Sequence, residues 1–204
     1  AGLLQEVFHR DDGLYDLRLL VSAYIDLVKA SVRSSNQHSA LVRGHCEASA
    51  HARFILDELN ATIKHFRHSR REYTIRFEEF CAHSVQARRI LKVEGIGTIG
   101  AVKILATVVD ARRFPKTGKY LSYCGLVTHE KSSGGRSYGR RKGQYCRLLK
   151  AVYKTAALAA IKGNNPISEY YREFLTRGMS EHHARHQIAR YIATVTYGML
   201  KTGK

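Results

Sequence analysis

The stretch LNATIKHFRHSRREYTIRFEEF, residues 59–80, decides the fold class, because its large apolar side chains recur at a helical spacing. One apolar or aromatic residue returns every seventh position, at Leu59, Phe66, Tyr73 and Phe80. A repeat of seven residues is typical of a helix that packs along another helix. The stretch therefore predicts a long amphipathic helix with a continuous apolar seam.

A second long helix is predicted upstream of this stretch. Its apolar residues alternate in steps of three and four, at Leu14, Leu17, Val21, Tyr24 and Val28, and the pattern extends to the region of Gly44. Two such helices can form an antiparallel coiled-coil hairpin or the seam of a dimer. An ordinary amphipathic helix against a globular core is the alternative interpretation, mainly for the first helix.

From about Ile90 the sequence changes to shorter helical segments separated by glycine turns. A helix is predicted from Arg147 to about Ile161, another follows the turn at Pro166, and a last one begins after the N-cap Ser180. We therefore expect an all-α protein with two parts. Residues 1–89 form a long-helix coiled-coil region, and residues 90–204 form a compact helical domain.

The charge of the chain is strongly positive, with 34 Lys and Arg residues against 17 Asp and Glu residues and a formal net charge of +17. This excess indicates a polyanionic partner. It is concentrated in residues 112–150, where Glu130 is the one acid. That stretch is the predicted nucleic-acid face, with an acidic membrane or protein surface as the alternative. Its basic residues are Arg112, Arg113, Lys116, Lys119, Lys131, Arg136, Arg140, Arg141, Lys142, Arg147 and Lys150.

The cysteine pattern and the hydropathy narrow the class of protein to which the chain can belong. The four cysteines are widely spaced without a Cys-x-x-Cys pair, so neither a zinc ribbon nor a disulfide framework is indicated. No apolar run approaches the roughly 20 residues that span a bilayer, and no signal-peptide pattern opens the chain. We expect reduced thiols, a cytoplasmic location and, because no initiator Met is present, a fragment or a processed chain.

A glycine turn at Gly95, Ile96 and Gly97 has the pattern of a helix-hairpin-helix, in which such a turn joins two short helices. Glycines let the backbone come close to a phosphate, and the N–H groups at the start of the next helix can bind it. Gly100 and Lys103 follow in that helix, and Lys103 would add a positive charge. A purely structural helix turn is the alternative.

A loop of small and basic residues follows at residues 125–143, with Ser132, Ser133 and two glycines at its centre. Such a loop can wrap a phosphodiester with guanidinium groups and leave a hydroxyl free to attack it. On these residues alone, a flexible Ser-Gly linker is the better interpretation. The candidate DNA contacts in the loop are Arg136, Arg140, Arg141 and Lys142.

Three histidines near the C-terminus, His182, His183 and His186, include a pair spaced four residues apart on the predicted last helix. Such a pair can hold a metal ion, but no third strong ligand lies nearby in the sequence. Solvated or DNA-facing histidines are the better interpretation.

The order of the motifs resembles one family of transposases. The Gly95–Gly97 turn is followed by Asp110-Ala-Arg-Arg-Phe114, by Tyr120-Leu-Ser-Tyr-Cys-Gly125-Leu-Val, and by Ser132-Ser-Gly-Gly135. In this order they resemble the C-terminal two-thirds of an IS-one-ten family insertion-sequence transposase, a bridge-RNA-guided serine recombinase. The resemblance covers essentially the whole chain, and the basic loop after Gly135 is shorter than that family's pattern.

The resemblance implies a function. Ser133 is similar to the family's nucleophile, which forms a covalent phosphoserine link to DNA, with Ser132 as the neighbouring candidate. It also implies a structured noncoding guide RNA as a partner and a coiled coil that assembles dimers or tetramers. It further implies Mg²⁺ held by an acidic nuclease-like domain that would precede this chain, with no metal in the chain itself. A noncatalytic helix-hairpin-helix module for DNA binding and oligomerisation, and an RNA-binding scaffold, are the rival hypotheses.

Overall fold

The computed structural model describes residues 13–44, 49–141 and 143–203. It confirms an all-α fold, in which eight described helices are accompanied by a single described pair of short strands. The helices are α1 (Tyr15–Arg43), α2 (Ala50–His83), α3 (Val85–Ile90), α4 (Thr98–Val108), α5 (Thr117–Tyr123), α6 (Arg147–Ala160), α7 (Pro166–Thr176) and α8 (Glu181–Thr202). A 3₁₀ turn spans Ala111–Arg113, and strands β1 (His129–Ser133) and β2 (Arg136–Arg141) lie between α5 and α6.

The chain divides into two compact units, residues 1–73 and 74–204, so that the division falls inside α2. The sequence predicts a boundary near residue 90 instead, because the glycine turns begin there. A helix as long as α2 shows no local break where its packing partners change, so a pattern of apolar residues along it does not indicate the division.

The first unit contains α1 and the first part of α2. Leu17, Val21 and Tyr24 of α1 are buried, on the seam that the sequence predicts. The ring of Tyr24 lies 5.7 Å from that of Tyr73, centroid to centroid. Because a short connection joins the two helices, this contact between the first half of α1 and a late turn of α2 requires an antiparallel arrangement.

The second unit is arranged around α8, which packs against α3, α5, α6, α7 and the 3₁₀ turn. Its inward face is fully buried and is made of small and branched side chains: Ala184, Ile188, Ala189, Ile192, Ala193 and Thr196. Small residues let neighbouring helices approach closely, and the isoleucines fill the space between them. Burial of this face stabilises the packing of the unit.

Three buried tyrosines connect the helices around α8. The hydroxyl groups of Tyr120 on α5 and Tyr153 on α6 are hydrogen-bonded to each other. The ring of Tyr120 stacks on that of Tyr197 of α8 at 5.0 Å. Tyr197 donates a hydrogen bond of 2.6 Å to the carbonyl oxygen of Phe114. Burial raises the pKa of Tyr120 and raises the pKa of the adjacent Cys124 thiol to about 12, so both groups stay protonated.

Helix ends in the second unit carry specific caps. Ser84 accepts a hydrogen bond from the N–H of Ala87 and separates α3 from α2. Asn165 and Ser168 form a reciprocal capping box at the start of α7, and Pro166 is its first helical residue. The side chain of Asn165 also donates to the carbonyl oxygen of Ala160 at 2.9 Å. This residue therefore links the end of α6 to the start of α7, at the turn that the sequence predicts.

The Tyr197 hydrogen bond gives a test of this core. Replacement Tyr197→Phe keeps the ring but removes a buried donor, so we expect the free energy of unfolding to fall by about 1–2 kcal/mol. The matched control is Tyr191→Phe on the same helix, where the side chain is 46% exposed and a change within about 0.5 kcal/mol is expected. Chemical denaturation of both variants measures the difference, and equal stabilities would contradict the structural role of the Tyr197 hydroxyl.

Candidate functional site

The predicted serine loop is a β-hairpin. Strands β1 and β2 pair in antiparallel fashion, and Gly134 and Gly135 form the turn with φ angles of 57° and 74°. Positive φ at both central residues is typical of a type I′ turn, whose twist matches that of the strands it joins. The interpretation of this segment as a flexible linker is thus wrong for its backbone. The sequence does not predict this hairpin, because neither strand alternates apolar and polar residues.

Ser133 is exposed and is the last residue of β1, directly before the turn. Its cross-strand partner is Arg136, while Ser132 pairs with Ser137. Residues directly opposite each other in an antiparallel pair have Cβ atoms about 5 Å apart. A phosphate at the Ser133 hydroxyl therefore lies within reach of the Arg136 guanidinium, whereas Ser132 has a second serine opposite it.

The base of the hairpin carries the other predicted arginines. The backbone of Arg140 pairs with that of Glu130, and the backbone of Arg141 pairs with that of His129. The register shifts between Glu130 and Ser132, and Gly139 on the other strand has a φ of 88°. An irregularity of this kind increases the twist of the strands. Lys142, the last predicted contact of this group, lies outside the described residues.

The predicted glycine turn joins α3 to α4, and its glycines differ in their surroundings. Gly95 has a φ of 86°, and a Cβ atom on it would overlap the carbonyl oxygen of Ala156 in α6. Gly95 is therefore required by close packing between the turn and α6, and this structural reason is sufficient for glycine there. Gly100 packs less tightly, since its nearest neighbour would be Ile96 Cγ2 at 3.3 Å.

Gly97 is the residue at which a ligand can approach. It is the exposed N-cap of α4, and nothing lies within 4 Å of the position where its Cβ would be. The carbonyl oxygen of Gly97 accepts the first hydrogen bond of the helix, from Ala101. The N–H groups of Thr98 and Ile99 lie in the first turn of α4, where the helix has no carbonyl oxygen to accept their hydrogen bonds. They can therefore bind an anion. Lys103 lies further along α4 and is half-buried.

Part of the basic stretch has a structural role. The Arg113 guanidinium lies 4.7 Å from the ring centroid of Phe114 and 4.9 Å from that of Tyr123. Arg112 forms an ion pair with Asp110, at 3.1 Å between its Nε and a carboxylate oxygen. This hydrogen bond raises the pKa of Arg112. These two arginines stabilise the connection between α4 and α5, so the candidate DNA contacts lie later in the stretch.

A basic groove lies beside the base of the hairpin. It has a volume of about 700 Å³ and is bordered by residues 125–128, α6 and α8. Its charged side chains are Lys150 and Lys154 of α6 and Arg190 of α8. Lys154 and Arg190 are not among the site residues that the sequence predicts. Their spacing contains the signal, because Lys150 and Lys154, and also His186 and Arg190, are four residues apart on one helix face.

The three C-terminal histidines border the same groove. Burial lowers the pKa of His186, and the positive charges of Lys154, Arg190 and His182 lower it further, against a hydrogen bond with the backbone of Leu126. Ser180 Oγ and His183 Nδ1 are 2.9 Å apart and hydrogen-bonded. In the described part of the chain, no three His, Cys, Asp or Glu side chains are grouped in a way that could hold a metal ion.

The fold and these surfaces define a class, namely a helical domain with a basic hairpin and a cation-lined groove. Residues 87–172, from α3 to α7, match the model of the family described as "Transposase IS116/IS110/IS902 family". This segment of the chain is therefore similar to the transposase domain of that family. The matched segment includes the glycine turn and the hairpin with Ser133.

Two curated relatives agree with this match. The chain is 29% identical over 116 residues to the "Insertion element IS110 uncharacterized 43.6 kDa protein" of Streptomyces coelicolor, covering 56% of this chain and 28% of that protein. It is 36% identical over 66 residues to the "Probable family 20 transposase" of Pseudomonas aeruginosa, covering 30% of this chain and 20% of that protein. The chain thus spans less than a third of the length of each relative. None of the described helices is long and apolar enough to cross a membrane.

The two outer glycines of the turn make opposite predictions. Gly95→Ala places a side chain against the Ala156 carbonyl at a positive φ, so we expect a loss of about 2–5 kcal/mol in unfolding free energy from backbone strain and overpacking. Gly97→Ala meets open space at an ordinary φ of −92°, and a change below about 1 kcal/mol is expected. Thermal or chemical denaturation decides, and equal losses would contradict the close approach of the turn to α6.

Proposed function

We propose that this chain is the nucleophile-bearing and DNA-handling part of a transposase that cuts and rejoins DNA through Ser133. One observation carries the proposal. Ser133 is exposed at the end of β1 and pairs directly with Arg136, within the segment that matches the transposase family. A hydroxyl beside a guanidinium is suited to attack a phosphodiester, because the guanidinium binds two phosphate oxygens and stabilises the charge that builds up on them.

The chemical step conserves phosphodiester bonds. The Ser133 oxygen attacks the phosphorus atom and forms a new O–P bond, while the bond between phosphorus and one deoxyribose oxygen breaks. The serine proton leaves to a base or to water, and the departing deoxyribose oxygen takes up a proton. Attack by another DNA hydroxyl on the phosphoserine reverses the step and reseals the strand. The covalent link thus retains the bond energy, and no nucleotide cofactor is consumed.

Contacts with the neighbouring DNA backbone would come from two further elements. The backbone of β2 brings Arg140 and Arg141 to the base of the hairpin, and the start of α4 offers N–H groups beside the exposed Gly97. Such contacts position the DNA without reading bases. A metal ligand set is not assigned to the described residues, so the proposal gives this chain only the nucleophile and the phosphate contacts. By resemblance, Mg²⁺ would be held elsewhere in the transposase.

The proposed partners beyond DNA are a noncoding guide RNA and further copies of this chain. The guide RNA rests on the family resemblance, together with the net charge of +17. Oligomerisation is supported by large apolar side chains that are exposed on the two long helices, which are Tyr15, Leu19, Val32, Phe54, Ile55 and Ile75. Apolar side chains repeated along a helix are typical of packing between subunits.

A noncatalytic module for DNA binding and oligomerisation is the second candidate function. It is favoured by the start of α4 and by the basic groove, because both can hold phosphates without any covalent step. In that case Ser133 would only support the turn of a DNA-binding hairpin.

Replacement of Ser133 separates the two functions. With the transposase that contains this chain and a nicked DNA substrate, we expect Ser133→Ala to abolish the covalent protein–DNA adduct. The matched control is Ser137→Ala, another exposed serine in the same hairpin, which should retain the adduct. Denaturing gels with labelled DNA measure the yield. An adduct that persists in Ser133→Ala moves the nucleophile elsewhere, and DNA binding without any adduct in the wild type favours the binding module.

Competition between DNA and RNA tests the choice of main partner. We expect the chain to bind duplex DNA with an affinity that falls steeply as salt rises, because the contacts are mainly with phosphates. Labelled duplex DNA is titrated with unlabelled structured RNA at several salt concentrations. If the chain binds the RNA at every salt concentration and does not bind the duplex, an RNA-binding scaffold replaces the recombinase proposal.

A further inference from the structure

The basic groove beside the hairpin is lined by the cationic side chains of Lys154 and Arg190. None of the described residues that border it is Asp or Glu. The nearest acidic residue on α8 is Glu181. It forms an ion pair with Arg185, and neither of these two residues borders the groove. Lys154 is exposed, and the side chain of Lys150 lies 4.4 Å from the ring centroid of Tyr145.

Arg190 is held in the groove with unused hydrogen-bonding capacity. Its Nη1 donates to Gln187 Oε1 at 3.3 Å, but its Nε is buried and has no hydrogen-bond partner in the described structure. A buried donor without a partner is costly. Burial is the main cause that lowers the pKa of His186, and repulsion from Lys154 and Arg190 lowers this pKa further. An anion in the groove would offset this repulsion.

The position of the groove relates it to Ser133. Residues 125–128 border the groove and lead directly into β1, which begins at His129 and ends at Ser133. Ser133 lies five positions after Thr128, which corresponds to about 17 Å along an extended strand. Consecutive phosphates in one DNA strand rise by about 3.4 Å along the helix axis, so this distance corresponds to about five nucleotides.

We propose that the groove formed by Lys150, Lys154 and Arg190 binds the phosphodiester backbone of DNA, about five nucleotides from the phosphate at Ser133. The distance to the reacting phosphate rests on the proposed function, whereas binding of the backbone does not. The groove makes the contact with lysine, arginine and histidine side chains, so it holds the strand without reading its bases. Residues 125–128 keep it at a constant distance from the base of the hairpin.

The test compares Lys154 of α6 with a lysine that follows the end of that helix. Lys154 borders the groove, whereas Lys162, two turns further along and just beyond the end of α6, does not, and both are exposed. Binding of labelled duplex DNA is measured by fluorescence anisotropy at salt concentrations from about 0.05 to about 0.3 M, the range in which phosphate contacts dominate the affinity. Thermal unfolding of both variants confirms that the fold is retained.

We expect Lys154→Gln to weaken binding by about 5- to 10-fold at 0.1 M salt and to reduce the slope of log affinity against log salt by about one, as for one lost phosphate contact. Lys162→Gln should bind like the wild type. Equal affinities of the two variants would overturn the proposal. So would a loss that is confined to structured RNA, with duplex binding unchanged.

The same variants separate this inference from the proposed function. If Lys154→Gln loses DNA binding and the adduct does not depend on Ser133, the proposal for the groove stands and the proposal that Ser133 is the nucleophile fails. If the adduct depends on Ser133 and Lys154→Gln binds DNA as well as the wild type does, the proposal that Ser133 is the nucleophile stands and the proposal for the groove fails. Ethylation of single phosphates then measures the distance. Interference by an ethyl group about five nucleotides from the reacting phosphate should disappear in Lys154→Gln and persist in Lys162→Gln.

Discussion

Burial of α8 is the constraint on which the second unit depends. Its small and branched residues fill the space between α3, α5, α6 and α7, and Tyr197 fixes the connection before α5 through the carbonyl of Phe114. The opposite side of the same helix carries His186 and Arg190, which border the groove. Because α6 provides both the packing surface for Gly95 and the lysines of the groove, the core also determines where the basic groups stand.

In this unit, the charged side chains of the proposed sites and the buried side chains of the core lie on different elements or on different faces of a helix. The covalent chemistry is proposed for a two-stranded hairpin that contributes no described side chain to the core, whereas the groove is formed by helices whose other faces are buried. A short hairpin alone is only marginally stable, and its type I′ turn supplies the local order. In the proposed function, an exposed nucleophile on such an element can enter a DNA groove, while the helices of the groove would hold the flanking backbone.

The sequence predicts helices better than it predicts contacts between them. Periodicity and end signals place the long helices, the Asn165 turn and the Ser180 cap, because these signals are local. The hairpin escapes such patterns, because its pairing depends on a glycine turn rather than on an apolar face. Gly95 is recognisable as a turn residue, but its approach to α6 depends on a helix about 60 residues later. The spacing places Lys154 and Arg190 each on a basic helix face, but only tertiary packing brings the two faces together at one groove.

Locating the DNA-linked residue tests the central claim most directly. The covalent complex is trapped with a nicked substrate, the DNA is digested to a single nucleotide, and the protein is cleaved with trypsin. Cleavage after Lys131 and Arg136 releases residues 132–136, a peptide with only two hydroxyl side chains. Fragmentation in a mass spectrometer then assigns the nucleotide to one residue. We predict attachment to Ser133. Attachment to Ser132 would contradict the proposed pairing with Arg136, and attachment outside this peptide would contradict the serine mechanism at the hairpin.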